Sequence, residues 1–107
     1  QVVIKHDQTF QKNLSIESVF KKANHYYSLR DYSKGLALLS LNQPNIREYP
    51  EYYGLLALLY LKTNQAVLAG SLYESLLRVY PEDSRWWVGL GLSLLQRDRS
   101  FQFHIKL

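Results

Sequence analysis

The chain has 107 residues, with apolar types at 47%, charged types at 21% and no cysteine. That composition excludes a disordered tail, a collagen-like fibre, a low-complexity linker, a disulfide framework and a zinc–thiolate site. The net charge of +4 is uneven, at +3 over residues 1–34, −2 over 35–83 and +3 over 84–107.

The opening residues, QVVIKHDQTF, hold too short an apolar stretch for a signal peptide, and no later run approaches the roughly 20 apolar residues that span a bilayer. No Met begins the chain, so its start is expected to lie inside a longer gene product. Residues 1–14 are expected as an extension ahead of the first helix. Apolar periodicity then predicts helices over 15–29, 32–42, 50–62, 66–80 and 84–96, an all-α fold. Pro50 stands at a helix start, where a missing N–H costs nothing, and Pro81 stands just ahead of the last helix. Glu51, Glu82 and Asp83 sit near those starts, where the helix dipole favours anions. Asp31 is expected to cap the second helix, and Asp83 or Ser84 the last. Asn64 is expected to end one helix and cap the next. Beyond Gln96, the residues Phe101, Phe103, Ile105 and Leu107 alternate with polar ones, a strand-like period of two. Residues 97–107 therefore read as a tail or as a truncated last unit.

The same chain repeats itself. Tyr49-Pro50 and Tyr80-Pro81 are each followed by an acidic residue, an aromatic pair, a Gly and a Leu-rich run. Superposing Tyr53 on Trp87 aligns Leu56 with Leu90 and Ala57 with Gly91, an offset of 34 residues. The opposite shift puts Val19, Ala23 and Tyr26 on Tyr53, Ala57 and Tyr60.

On these residues the segment 15–96 resembles the tetratricopeptide repeat family. Tyr53, Leu56, Ala57, Tyr60, Ala69, Tyr73 and Pro81 fall on its pattern in the middle repeat. Trp87, Leu90 and Gly91 do so in the last unit, and Ala23, Tyr26, Gly35 and Leu39 in the first. Val19, Lys22 and Leu94 depart from it, and Pro44 comes early. The resemblance implies about two and a half helix-turn-helix repeats stacked in a right-handed superhelix. A narrower likeness, in RWWVGLGLSLL and LSIESVFKKA, is to the tetratricopeptide proteins of bacterial mannose-sensitive haemagglutinin pilus biogenesis. It implies a pilus or type II secretion assembly, in the periplasm or at the inner membrane.

Enzyme chemistry finds no support in the residues. His6, His25 and His104 are far apart and without carboxylates at metal-ligand spacing. GLGLS at Gly89–Ser93 lies within a helical pattern and reads as packing, not as a phosphate loop. No cofactor or metal site is expected. The expected function is protein binding in an apolar groove. The repeat register assigns to it Phe20, Asn24 and Tyr27, then Gly54, Leu58 and Leu61, then Val88, Leu92 and Leu95. A clamp for a ligand's terminal carboxylate, used by some family members, is not expected, because only Asn24 stands at a suitable place. Trp87, Leu90 and Leu94 form a stripe that a second helix of the unit would cover. Left bare, that stripe predicts a homodimer, with Trp86 packed on the preceding unit instead. The alternative partner is a nucleic acid or another anionic surface, drawn from the basic ends. The cations form no stripe along one helix, which argues against nucleic acid.

Overall fold

A computed structural model describes the chain from residue 16 to residue 106, with side chains to Ser100. The expected extension 1–14 and the side chains of the aromatic tail lie outside the described residues. Among the described residues there are five helices and no strand. They are α1 (16–28), α2 (Tyr32–Leu39), α3 (Pro50–Lys62), α4 (Ala66–Val79) and α5 (Ser84–Lys106). No helix among the described residues is long and apolar enough to cross a membrane.

The chain divides into two compact units, one ending at Pro44 and one beginning at Asn45. In the first, α1 ends in a left-handed turn. Arg30 has φ 62°, its N–H donates to the Tyr27 carbonyl at 3.0 Å, and the Asp31 N–H donates to the Tyr26 carbonyl at 2.9 Å. This paired closure satisfies carbonyls that a helix end leaves free. The rings of Tyr27 and Tyr32 then meet edge to face, with centroids 5.5 Å apart. Asp31 does not cap α2 through its side chain; its carboxylate lies 3.6 Å from Lys34 Nζ instead. The helix stops at Leu39, short of the expected residue 42. The Ser40 hydroxyl donates back to the Leu36 carbonyl at 2.7 Å, and Pro44 disfavours helix in the residue before it. Ala23, Gly35 and Leu39 are buried.

The second unit is built on α3, α4 and α5. Pro50 opens α3 with Glu51 in its first turn, and Lys62 lies in its last. The closure at Arg30 recurs at Asn64, where φ is again 62°. Here the Asn64 N–H donates to the Leu61 carbonyl at 3.2 Å and the Gln65 N–H to the Tyr60 carbonyl at 2.8 Å. Asn64 therefore ends α3 but does not cap α4, whose N-cap is Gln65, with no side-chain capping bond. At α5, Asp83 is the cap: its Oδ1 accepts the Arg85 N–H at 3.0 Å.

The core of this unit gathers Ala57 of α3, Ala69, Tyr73, Leu76 and Leu77 of α4, and Trp86 of α5. Two glycines set how closely the helices approach. A Cβ at Gly54 would stand 2.7 Å from Trp86 Cη2, and one at Gly89 would fall within the Tyr73 ring. Gly54 is thus the seat of Trp86, not a residue of an open groove. Gly91, which the repeat register aligns with buried Ala57, has nothing near the place a Cβ would take. Two polar ties span the unit. Gln96 Nε2 donates to the Leu61 carbonyl at 3.2 Å and to Asn64 Oδ1 at 3.0 Å. The Tyr80 hydroxyl donates to the Arg47 carbonyl at 2.6 Å.

Candidate protein-binding site

The last helix decides what this unit shows to solvent. No Gly or Pro interrupts the chain after Gln96, and α5 continues as helix to Lys106, so the strand-like alternation of the tail does not become a strand. Its buried side is Trp86, Gly89 and Ser93, with Leu90 and Gln96 half-buried beside them. These positions recur at spacings of three and four, one face of a helix. The opposite side carries Trp87, Val88, Leu92, Leu94 and Leu95, between 41% and 61% exposed, with Gly91 among them. At 3.6 residues per turn these six positions cover an arc of roughly 160°, with Gly91 and Leu95 near its middle.

This arrangement redistributes the residues singled out in the sequence. Val88, Leu92 and Leu95, assigned to a groove, and Trp87 and Leu94, assigned to self-association, share one continuous apolar face of α5. Leu90 does not belong to it; it turns inward and packs against the core with α4. On α3, Leu58 is half-buried, and Leu61 packs against the core cluster. In the first unit, Phe20 and Tyr27 are half-buried, Tyr27 against Tyr32, and Asn24 is exposed.

Trp87 is pinned in place. Its Nε1 donates to the Pro81 carbonyl at 2.7 Å, in the turn that leads into α5. The indole's one polar group is thereby satisfied within the chain, and what the ring offers outward is apolar. Beside the face, a solvent-open depression of about 140 Å³ lies between α4 and α5. Val67, Gly70 and Glu74 line it from one helix and Leu90, Leu94 and Arg97 from the other.

Charge is divided along α5. At its N-terminal end Arg85 binds Asp83 through two hydrogen bonds, 3.0 Å from Nε to Oδ1 and 2.7 Å from Nη2 to Oδ2. It also reaches Glu51 Oε2 at 3.4 Å, and its guanidinium lies 4.5 Å from the Trp86 ring centre. The Arg85 hydrogen bond holds the Asp83 carboxyl below the usual carboxylate value, and Asp83 in turn raises the Arg85 guanidinium. With Glu82 alongside, this end has three acidic groups to one basic. Twelve residues on, Arg97, Asp98 and Arg99 are all exposed; Arg97 lies 3.5 Å from Asp98 and shares the depression with Glu74 of α4.

Three further positions build this site: Gly89, which lets Tyr73 approach α5, and Ser93, buried against Gly70, both in the segment read from the sequence as packing, and Gln96, which ties α5 to the end of α3 and which the sequence reading did not single out. The signal for Gln96 was that of a polar residue on the inward side of an apolar helix. Among the described residues no three His, Cys, Asp or Glu side chains gather at metal-binding distance. No family model matches this chain, and no curated protein or solved structure matches it either.

Proposed function

We propose that this chain is a tetratricopeptide-type interaction module that binds another protein through the outer face of α5 and performs no chemistry of its own. The observation that carries the reading is the face itself: five large apolar side chains on a well-capped helix, next to a core from which they are turned away. Soluble proteins seldom leave so much contiguous apolar surface bare, and such patches serve association. The repeat reading draws support from the period of the backbone. Helices begin at Tyr32 and Ala66 and again at Pro50 and Ser84, and the left-handed turns fall at Arg30 and Asn64, in each case 34 residues apart. The partner chemistry that suits the face is an amphipathic helix or an apolar peptide. The narrower likeness sets a pilus or type II secretion assembly as the place to look for it.

The test is binding of amphipathic helical peptides selected by display against the whole chain. Leu92→Glu and Leu95→Glu place a charge where the bound state would desolvate it, so they should abolish binding and leave the helical circular dichroism unchanged. Leu61→Glu does not serve here, because Leu61 supports the core and its replacement should lower stability as well. Peptides that bind the Leu92 and Leu95 variants as well as the parent chain would remove α5 from the reading.

A further inference from the structure

We infer that the exposed face of α5 seats an amphipathic helix of a partner protein, antiparallel to α5 and placed on it as α4 is placed on α3. This rests on the reading of that face as a protein-binding surface and states what binds there and in which direction. Two observations carry it.

The first is internal to the fold. α3 and α5 begin 34 residues apart, at Pro50 and Ser84. On α3, Ala57 is buried in one cluster with Ala69, Tyr73 and Leu76 of α4, and Tyr53, Tyr60 and Leu61 pack against that cluster. The residues 34 further on are Trp87, Gly91, Leu94 and Leu95, and all four are exposed. The molecule itself thus shows what covers a face of this make-up. The cover is a helix that buries small residues, Ala66 and Ala69, with Tyr73 and Leu76 following at spacings of three and four. α4 reaches its place because the chain turns back at Asn64. At Asp98, the residue 34 further on, α5 continues as helix to Lys106. No helix of the described residues comes back over Gly91, where a Cβ would meet nothing within 4 Å.

The second observation is shape. The depression between α4 and α5 continues the exposed face, because Leu94 belongs to both. It is lined from Ala66 to Glu74 on one helix and from Leu90 to Arg97 on the other, so it follows each for about two turns. Gly70 keeps its α4 side low; a Cβ there would stand 3.1 Å from Ser93 Oγ. A flat apolar patch fits many surfaces, whereas a trough running between two helices fits the ridge of a third. A helix laid over Trp87, Gly91 and Leu94 has this trough beside it to take its flanking side chains. Trp87 is already held by its bond to Pro81, so its ring enters the contact ordered in advance and less entropy is lost on binding.

The probe is the synthetic peptide of residues 65–80, the α4 segment that covers the equivalent face of α3. The chain has no cysteine, so single introduced cysteines report the geometry without interference. Gly91→Cys, in open space, should form a disulfide with a peptide carrying Ala69→Cys at least about tenfold faster than with one carrying Leu68→Cys, which points away from the contact. Leu95→Cys should prefer a peptide carrying Ala66→Cys over one carrying Val79→Cys, as the antiparallel direction requires. No cross-linking at Gly91→Cys, with display-selected peptides still binding α5, overturns this seating and leaves the reading of α5 as a binding face standing. Loss of both overturns the two together. Equal rates at Ala69→Cys and Leu68→Cys refute the register, and preference of Leu95→Cys for Val79→Cys refutes the antiparallel direction.

Discussion

Side chains as small as a hydrogen atom decide how the second unit closes. Gly54 and Gly89 lie inside helices, where replacement by Ala ordinarily stabilises by about 0.5–1 kcal/mol. Their surroundings reverse that sign, because the Trp86 and Tyr73 rings already occupy the space a methyl group needs. Gly54→Ala and Gly89→Ala should each cost about 1–3 kcal/mol in urea unfolding. Gly91→Ala, with open space around it, should keep the full helical gain. Equal effects at all three would mean that the rings do not rest where described. Asp83 offers a second test at this scale. Its carboxyl is lowered in the fold by the hydrogen bond from Arg85, so its contribution is present above its unfolded value and fades as pH falls through the lower native one. Asp83→Asn keeps a capping oxygen and removes the titration. The stability gap between the two chains should be open at about pH 7 and should narrow towards about pH 3. A gap that is constant with pH would show that the pairing contributes nothing.

Among the elements, beginnings were easier to read than ends. The expected starts at 32, 50, 66 and 84 coincide with Tyr32, Pro50, Ala66 and Ser84. Proline and acidic residues mark a start chemically, through the free N–H groups and the dipole of the first turn. Ends carry fewer such marks. Asn64, which tolerates the left-handed region, announced the end of α3 at Lys62, but Arg30, which closes α1 in the same conformation, gives no such signal. Past Gln96, nothing in the chemistry of the chain stops a helix, and a period-two pattern of aromatics was too short to outweigh its continuation. The aromatic pair divides for a geometric reason. Aligning Tyr53 with Trp87 was sound as sequence, yet neighbouring helical residues point about 100° apart, so one Trp enters the core and the other cannot. The groove residues were half legible: the register found the apolar positions of α5, but whether Leu61 and Leu90 face in or out depends on packing against α4. The Arg30 closure also yields a prediction. A side chain in the left-handed region costs about 1–2 kcal/mol, which glycine avoids at the expense of some chain entropy. Arg30→Gly should therefore raise thermal stability, by up to about 1 kcal/mol. Asn64→Gly should not, because Asn tolerates the turn and its Oδ1 accepts from Gln96. Stabilisation of both would argue that the Gln96 bond is without effect.

Over the whole molecule, the division at Pro44 and Asn45 falls in the segment NQPNIREYP, where Pro44 comes early against the repeat pattern. The second unit holds itself together by contacts about one repeat apart in sequence. Tyr80 reaches back to Arg47, Arg85 to Glu51 and Gln96 to Leu61. Of these, the Tyr80 hydroxyl bond is the shortest, and Tyr80→Phe should cost about 0.5–1.5 kcal/mol. Calorimetry that finds no loss would place the hydroxyl in water.

Two adjacent tryptophans in opposite surroundings give the chain a pair of built-in optical probes. Trp86 is 5% exposed, and its indole N–H has no acceptor among the described residues, so its excited state should relax little and emit towards the blue. Trp87 is 55% exposed and should emit towards the red. A collisional quencher such as acrylamide should therefore extinguish only part of the emission, and the spectrum should shift blue as it does so. Trp87→Phe should leave a single, protected emitter. Unfolding is then read from one ring and contact from the other, in the same cuvette and without a label. Uniform quenching of the whole spectrum would show that the two indoles share one environment.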